Sequence, residues 1–468
     1  MRINRRDLLA VTAAGTATMF LTDPRRGRGQ ARAQSTPGTG PLVITIEAQN
    51  AWDPTFLTDP KVSAAFTPWA AGDIRTAAGT AIKYAPSINA AGVKSVYRVG
   101  ADTQDFFQKH GSKLVVVNGV DNATVSHDIG PRVAFSGSNR EGNPTLAGLY
   151  AGVRGATLPM SLMTTGGFVN TEGLVPVTRA GNVDVLLGLA RSNVANFTAA
   201  PANRRAFHDE GIMGLLRERV RLRDDRRAAV AGGVPREIAG ILRVAPSRSE
   251  EVFTQFDGLA QALDDASSVT SPNPIIPKAA AVMAAMKAGA CAAAHFETDE
   301  SFDTHNDHDL DHPVSMQQLL EIVDFVLDTA ANDPVLAERG VIVVIGSDFG
   351  RTKYNDDGGK DHWPVTSMMI AGVGAASALI DGGRVVGETV TTAPGGGAAN
   401  GIIAKKVKLA GGDVVATGDG DADGFTLTAG HVHLALREVL GIAGDDITNK
   451  FPLTTVVPQS PLPILKRS

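Results

Sequence analysis

The sequence predicts an α/β protein built on a largely parallel, helix-covered central sheet, and three observations carry that expectation. Val341-Ile342-Val343-Val344-Ile345 is a β-branched run without polar alternation, as a strand buried on both faces requires. Leu42 to Ile46 and Lys113 to Val117 are similar runs, and between such strands lie amphipathic helical stretches such as Pro313 to Ala331, with Leu319, Leu320, Ile322, Val323, Val326 and Leu327 near helical spacing. Acids, histidines and an arginine crowd the segments that follow three of the strands. That is the edge of an open α/β sheet where ligands bind.

The chain has 468 residues, is 43% hydrophobic and 20% charged, and contains 51 glycines, which describes a loop-rich globular protein able to bury a large core. Its opening residues read as a targeting segment. Arg5-Arg6 followed by Asp7-Leu8-Leu9 resembles a twin-arginine export signal, Leu8 to Leu21 is a modest apolar run, and Ala31-Arg32-Ala33 offers a cleavage site, so residues 1 to 33 are expected to be removed and the protein to be periplasmic or secreted. The apolar run is too short and interrupted for a stable membrane anchor. Removing its seven Arg and two Asp takes the formal charge from -5 to -10. A nucleic-acid partner is therefore not expected, and an aromatic content of 5% argues against base-stacking platforms.

Residues 34 to 468 then read as one α/β domain. After the first strand come Glu47, Gln49, Asn50 and Asp53; after the second, Thr124-Val125-Ser126-His127-Asp128. Asp102 or Thr103 is expected to cap a short helix between them, ended by Gly111. Leu146 to Val153 reads as a helix and Ser161 to Thr165 as a strand. Pro201 to Ser268 is arginine-rich with interleaved acids, the pattern of exposed helix faces, and is expected to be a helical insertion or cap. Lys278 to Cys291 is a further helix and Cys291 to Phe296 a small-residue strand, with Cys291 expected as a buried apolar residue. His295 to His308 is the densest ligand-capable segment, and His308 and His312 are expected to be exposed. Ser347, Asp348, Arg351, Asp361 and His362 follow the Val341 strand. Beyond them come short strands at Ser367 to Gly372 and Gly382 to Val386, a surface excursion from Thr391 to Gly424, and a closing helix in Thr426 to Leu440 whose His431 and His433 cannot share a metal. Within the excursion, Asp419 to Gly424 alternates acids as a calcium loop does but lacks the closing Glu.

Carboxylate and imidazole side chains brought from three strand ends suit a divalent metal, zinc or manganese before calcium, able to polarise a phosphoryl or sulfuryl oxygen. Phe302-Asp303-Thr304-His305, Ser347-Asp348-Phe349-Gly350-Arg351-Thr352 and Asp361-His362-Trp363-Pro364 resemble the motifs of the domain-of-unknown-function 1501 family, sulfatase-like members of the alkaline phosphatase superfamily. The resemblance is specific from Phe302 to Gly387. It implies the three-layer α/β sandwich of that superfamily, a first metal held by Asp303, His305 and His362, a second by Glu47 (or Asp53) and Asp348, Ser126 as nucleophile, and Arg351 in contact with a substrate anion. The expected activity is hydrolysis of a small phosphate or sulfate ester by an exported enzyme. Phe349 stands where the second metal's histidine is found in relatives, which implies the alternative: a catalytically degenerate protein that binds or assembles with another exported protein.

Overall fold

A computed structural model describes residues 40–181, 183–230, 258–393, 396–418 and 420–467. The export signal expected at residues 1 to 33 lies outside them. Among the described residues no helix is long and apolar enough to cross a membrane. Contacts divide the chain into two units, one of residues 36–215 and 249–468 and one of 1–35 and 216–248. Only residues 216–230 of the latter are described.

In the larger unit, β1 (Leu42–Ala48) is buried throughout. Its residues alternate between two cores, as the two-residue strand period dictates. Leu42, Ile44 and Ile46 join one core, packed with the helices Ile275–Lys287 and His308–Asn332; Val43 joins the other, with the helices Leu146–Arg154 and Ala429–Val439. Helices therefore cover both faces of the sheet.

The other sheet strands, in chain order, are β2 (Leu114–Asp121), β3 (Leu162–Thr164), β4 (Val177–Arg179), β5 (Ala293–Glu297), β6 (Val341–Ser347), β7 (Gly350–Tyr354), β8 (Lys360–Trp363), β9 (Val365–Val373) and β10 (Arg384–Val386). The main sheet has the order β4-β3-β5-β1-β6-β9-β2-β10, and only β9 runs against its neighbours. Strands β7 and β8 form an antiparallel hairpin that leaves this sheet and sits beyond the carboxyl end of β6, in a small sheet of four. The predicted α/β class, the parallel core and the strands at Leu42, Leu114 and Val341 are all present.

Several local expectations need correction. Asp105, not Asp102 or Thr103, caps the helix Phe106–His110, its carboxylate accepting from the Phe107 N–H at 3.0 Å. The helix expected from Pro313 begins at His308, because Pro313 falls in its second turn without ending it. That start turns His308 and His312 inward, and both are wholly buried rather than exposed. The excursion after Thr391 contains the strand Ala398–Ala404, which pairs with β7. In the calcium-like segment, Asp421 is taken by Lys408 at 2.6 Å and the Thr417 hydroxyl at 2.6 Å, while Asp419 is outside the described residues. Within the span read as a helical insertion, Glu210–Val230 and residues 258–266 are helical, and 231–257 lie outside the described residues. Cys291 is buried as expected.

Candidate metal centre

Two strand ends and one hairpin deliver the site. The segment after β5 carries Asp303 and His305, β8 carries His362, and the loop after β2 carries His127. Their ligand-type atoms converge. Asp303 Oδ1 lies 3.1 Å from His362 Nε2, 3.0 Å from His305 Nε2 and 3.7 Å from His127 Nε2. His362 Nε2 is in turn 3.1 Å from His305 Nε2 and 3.2 Å from His127 Nε2. Ligands about 2.1 Å from a tetrahedral zinc stand about 3.4 Å from one another, and the separations among Asp303, His362 and His127 bracket that edge length. These three share one volume with all ligand atoms within 4.8 Å of one another, and His305 joins it only on the Asp303 and His362 side.

The outer partners fix which nitrogen of each ring carries the proton. His362 Nδ1 is 3.0 Å from the Val125 carbonyl, which can only accept, so Nδ1 donates and, in the neutral ring, Nε2 presents a lone pair. His127 Nδ1 meets Asp348 Oδ2 at 2.6 Å and His305 Nδ1 meets Asp361 Oδ1 at 3.0 Å, both carboxylates, with the same result. In the neutral rings, the His127 and His362 lone pairs and the Asp303 oxygen thus face one volume, with His305 Nε2 beside its Asp303 and His362 edge. With neutral rings and no proton between them they repel, and a cation is what relieves that repulsion. The donor set, three histidines and one aspartate, fits zinc or manganese better than calcium, which prefers oxygen.

Asp348 does not itself face this volume. It orients His127, and its carboxylate holds the His127 imidazole above its ordinary value for protonation. Three further contacts fix Asp348: its Oδ1 accepts from the Phe349 N–H at 3.1 Å and the Ser347 hydroxyl at 3.1 Å, and the Asn122 amide donates to its carbonyl at 2.7 Å. Gly130 lets the His127 loop close here, since a Cβ at that position would stand 2.5 Å from Asp348 Cβ. Phe349, wholly buried, packs its ring 4.8 Å from His127 and 4.7 Å from His362. It forms an apolar floor that limits how these rings turn.

Arg351 was expected to touch a substrate anion, but the structure turns it inward. It is 1% exposed, and its guanidinium donates to the carbonyls of Ala51 (2.8 Å), Lys360 (3.2 Å), Asn50 (2.6 Å) and Phe302 (2.9 Å) and to Asp303 Oδ1 (2.7 Å). A planar fork with five N–H groups suits such a junction of chain segments. Burial alone would raise the Asp303 carboxyl, but the Arg351 bond and charge outweigh it and bring it down to about 2.

A buried ionic layer lies behind the ligand loops. Lys360, wholly buried, pairs with Asp53, and its ammonium also donates to the Phe66 carbonyl at 2.5 Å. His308 Nε2 is 3.2 Å from Asp53 Oδ2, and His312 Nε2 accepts the Asp53 N–H at 2.9 Å. Burial opposes ionisation of Asp53, yet the Lys360 charge and the histidines hold its carboxyl well below the usual range; burial pushes His308 down to about 4.

Of the residues expected in the site, Asp303, His305 and His362 come together, and Asp348 stands one contact behind them. Glu47 is engaged elsewhere: its Oε2 accepts from the Phe168 N–H at 3.1 Å and lies 3.0 Å from His295 Nε2. Asp53 belongs to the Lys360 pair. The Ser126 hydroxyl accepts the Asp128 N–H at 3.3 Å within its own turn. His127 was not singled out as a ligand. Its sequence signals are its address, the loop after a buried strand, the same kind of address that marks Asp303 and Asp348, and the weak extension of the family resemblance to Ser126-His127. A second grouping, His110, Asp324 and Asp328, already holds the Lys109 ammonium, 2.7 Å from Asp324 and 2.5 Å from Asp328, and is an ion-pair network.

No curated protein and no solved structure matches the chain. Residues 279–400, which carry Asp303, His305 and His362, match the model of the family described as "Protein of unknown function (DUF1501)", and this match supports a place for the chain in that family.

Proposed function

We propose that the protein is an exported, divalent-metal-dependent hydrolase of a small phosphate or sulfate ester, with a sulfatase-like fold of the alkaline phosphatase superfamily and zinc or manganese as its metal. The observation that carries the reading is the convergence of three Nε2 lone pairs, each fixed by an outer oxygen acceptor, on Asp303 Oδ1. A divalent ion there would act as a Lewis acid toward an ester oxygen. The chain's own work is positional. Val125, Asp348 and Asp361 hold the three rings in one tautomer, and Arg351 holds Asp303 ionised. Solvent reaches the set from the side of His305, whose side chain is 45% exposed. Ser126, next to His127 in sequence, is the candidate nucleophile and must leave its turn contact with Asp128 to act. Export through the twin-arginine route into the periplasm or medium belongs to the same proposal and rests on Arg5-Arg6 and the apolar run after it.

Metal analysis of purified protein is the first test: about one equivalent of zinc or manganese in the wild type, lost in Asp303→Ala. A screen of aryl phosphates and aryl sulfates then tests turnover, which should vanish in His362→Ala. Wild-type protein that purifies without a transition metal and cannot be loaded with one would sink the proposal. The second reading, a binding or assembly partner that keeps the metal without catalysis, is favoured by the engaged Ser126 hydroxyl and by Phe349 packed beneath His127 and His362. Tight metal binding without turnover of any ester in the screen would select it.

A further inference from the structure

The charges wired to the metal centre balance in a way that bears on what it binds. Asp303, Asp348 and Asp361 contribute three negative charges through direct contacts with the histidines, and Arg351 returns one positive charge through its bond to Asp303. A divalent ion brings this connected set to zero. The other basic residues of the β7–β8 hairpin do not alter the balance: Lys360 is sealed against Asp53, and among the described residues no hydrogen bond or ion pair joins Lys353 to the centre. The flanking loops add exposed acids, Asp128, Asp307, Asp356 and Asp357. Arg351, the one guanidinium at hand, is buried and committed to four carbonyls and Asp303. A ligand's outer oxygens therefore meet no free cation from this set.

The rim has a second character. Val125, whose carbonyl holds His362, is 46% exposed, and Ile129, two residues beyond His127, is 37% exposed. Apolar side chains thus flank the His127 side of the centre and acids the His305 side.

We infer that the centre takes a singly charged tetrahedral ester bearing an apolar group, a sulfate monoester or a phosphate diester, in preference to a doubly charged phosphate monoester. The inference rests on the metal-centre reading above. One anionic oxygen can meet the metal, whereas a second charge faces Asp361 and the exposed acids of the flanking loops with no cation to receive it.

The test is calorimetric titration of the zinc-loaded protein at about pH 8.5, where a phosphoryl group carries its second charge. The probes are benzenesulfonate, diphenyl phosphate and phenylphosphonate. Benzenesulfonate or diphenyl phosphate should bind at least about tenfold tighter than phenylphosphonate, and whichever of the two binds tighter identifies the source of the single charge. Asp361→Asn, which removes one negative charge beside His305, should shift the ratio toward phenylphosphonate by about threefold, a modest size because Asp361 is exposed and screened; Asp361→Glu should leave it unchanged. Equal or tighter binding of phenylphosphonate by the wild type overturns the inference, as does an unaltered ratio in Asp361→Asn protein that retains its zinc. If the predicted preference is found but neither aryl sulfate nor diester is turned over, the hydrolase proposal fails and this inference stands. A protein that takes up neither zinc nor manganese removes both.

Discussion

Replacing Asp348 by asparagine should damage the proposed metal centre more than removing the side chain. Asp348 Oδ1 accepts from the Phe349 N–H at 3.1 Å, while Oδ2 receives the His127 Nδ1 proton at 2.6 Å. An asparagine keeps its oxygen on the Phe349 N–H, because an amide NH2 there would face a donor. Its NH2 then occupies the place of Oδ2. His127 must accept that N–H at Nδ1 and carry its own proton on Nε2, which points into the centre, so one of four ligands is lost. Removing a carboxylate behind a ligating histidine costs 10–100-fold in metal affinity, and a forced wrong tautomer belongs at about the hundredfold end, near 2.7 kcal/mol. In Asp348→Ala the ring is free to choose its tautomer, and a loss of about tenfold is expected. Zinc affinity by competition with a chromophoric chelator measures both, with circular dichroism to confirm folding. Asparagine protein that binds zinc within about threefold of wild type, or more tightly than the alanine protein, would refute the tautomer argument.

Three other outcomes follow from buried polar groups. Arg351→Lys cannot span four carbonyls and Asp303 with one ammonium, so it should lose about 3 kcal/mol of stability in urea unfolding, close to the loss in Arg351→Met. Lys360→Met leaves Asp53 buried without its ammonium and should cost about 3–5 kcal/mol, whereas the double change with Asp53→Asn should recover part of that loss; no recovery in the double variant would show that packing, not the charge pair, sets the cost. His433 donates to the Ala134 carbonyl at 2.8 Å and burial pushes it down to about 4, so the unfolded chain takes up its proton first as pH falls below about 6.5, and stability declines from there until about pH 4. Between about pH 7.5 and 5 this one residue should account for about 2 kcal/mol, and urea midpoints of His433→Gln should fall that much less steeply than those of the wild type.

How far the sequence reaches is clearest by comparing residues. The buried strands at Leu42, Leu114 and Val341 were legible because a parallel strand covered on both faces must be apolar throughout, a pattern that survives without knowledge of neighbours. Asp303, His305 and His362 were legible through motifs that follow such strands. Neither route could assign roles. Arg351 looked like a substrate contact because its type suits anions, and only packing showed the carbonyls of Asn50, Ala51, Phe302 and Lys360 closing around it.

His308 and His312 looked exposed because Pro313 seemed a natural helix start; the helix begins at His308, and its first turns face Asp53 and Phe56. The chain by itself determined the α/β class and the parallel core, since these depend on periodicity, while the grouping of Asp303, His305 and His362 was what the family resemblance implied. Tertiary structure alone decided that His127 is the fourth, that Asp348 stands behind it, and that Glu47 is paired with His295. Each of those depends on which atoms, more than a hundred residues apart in the chain, come within hydrogen-bonding distance.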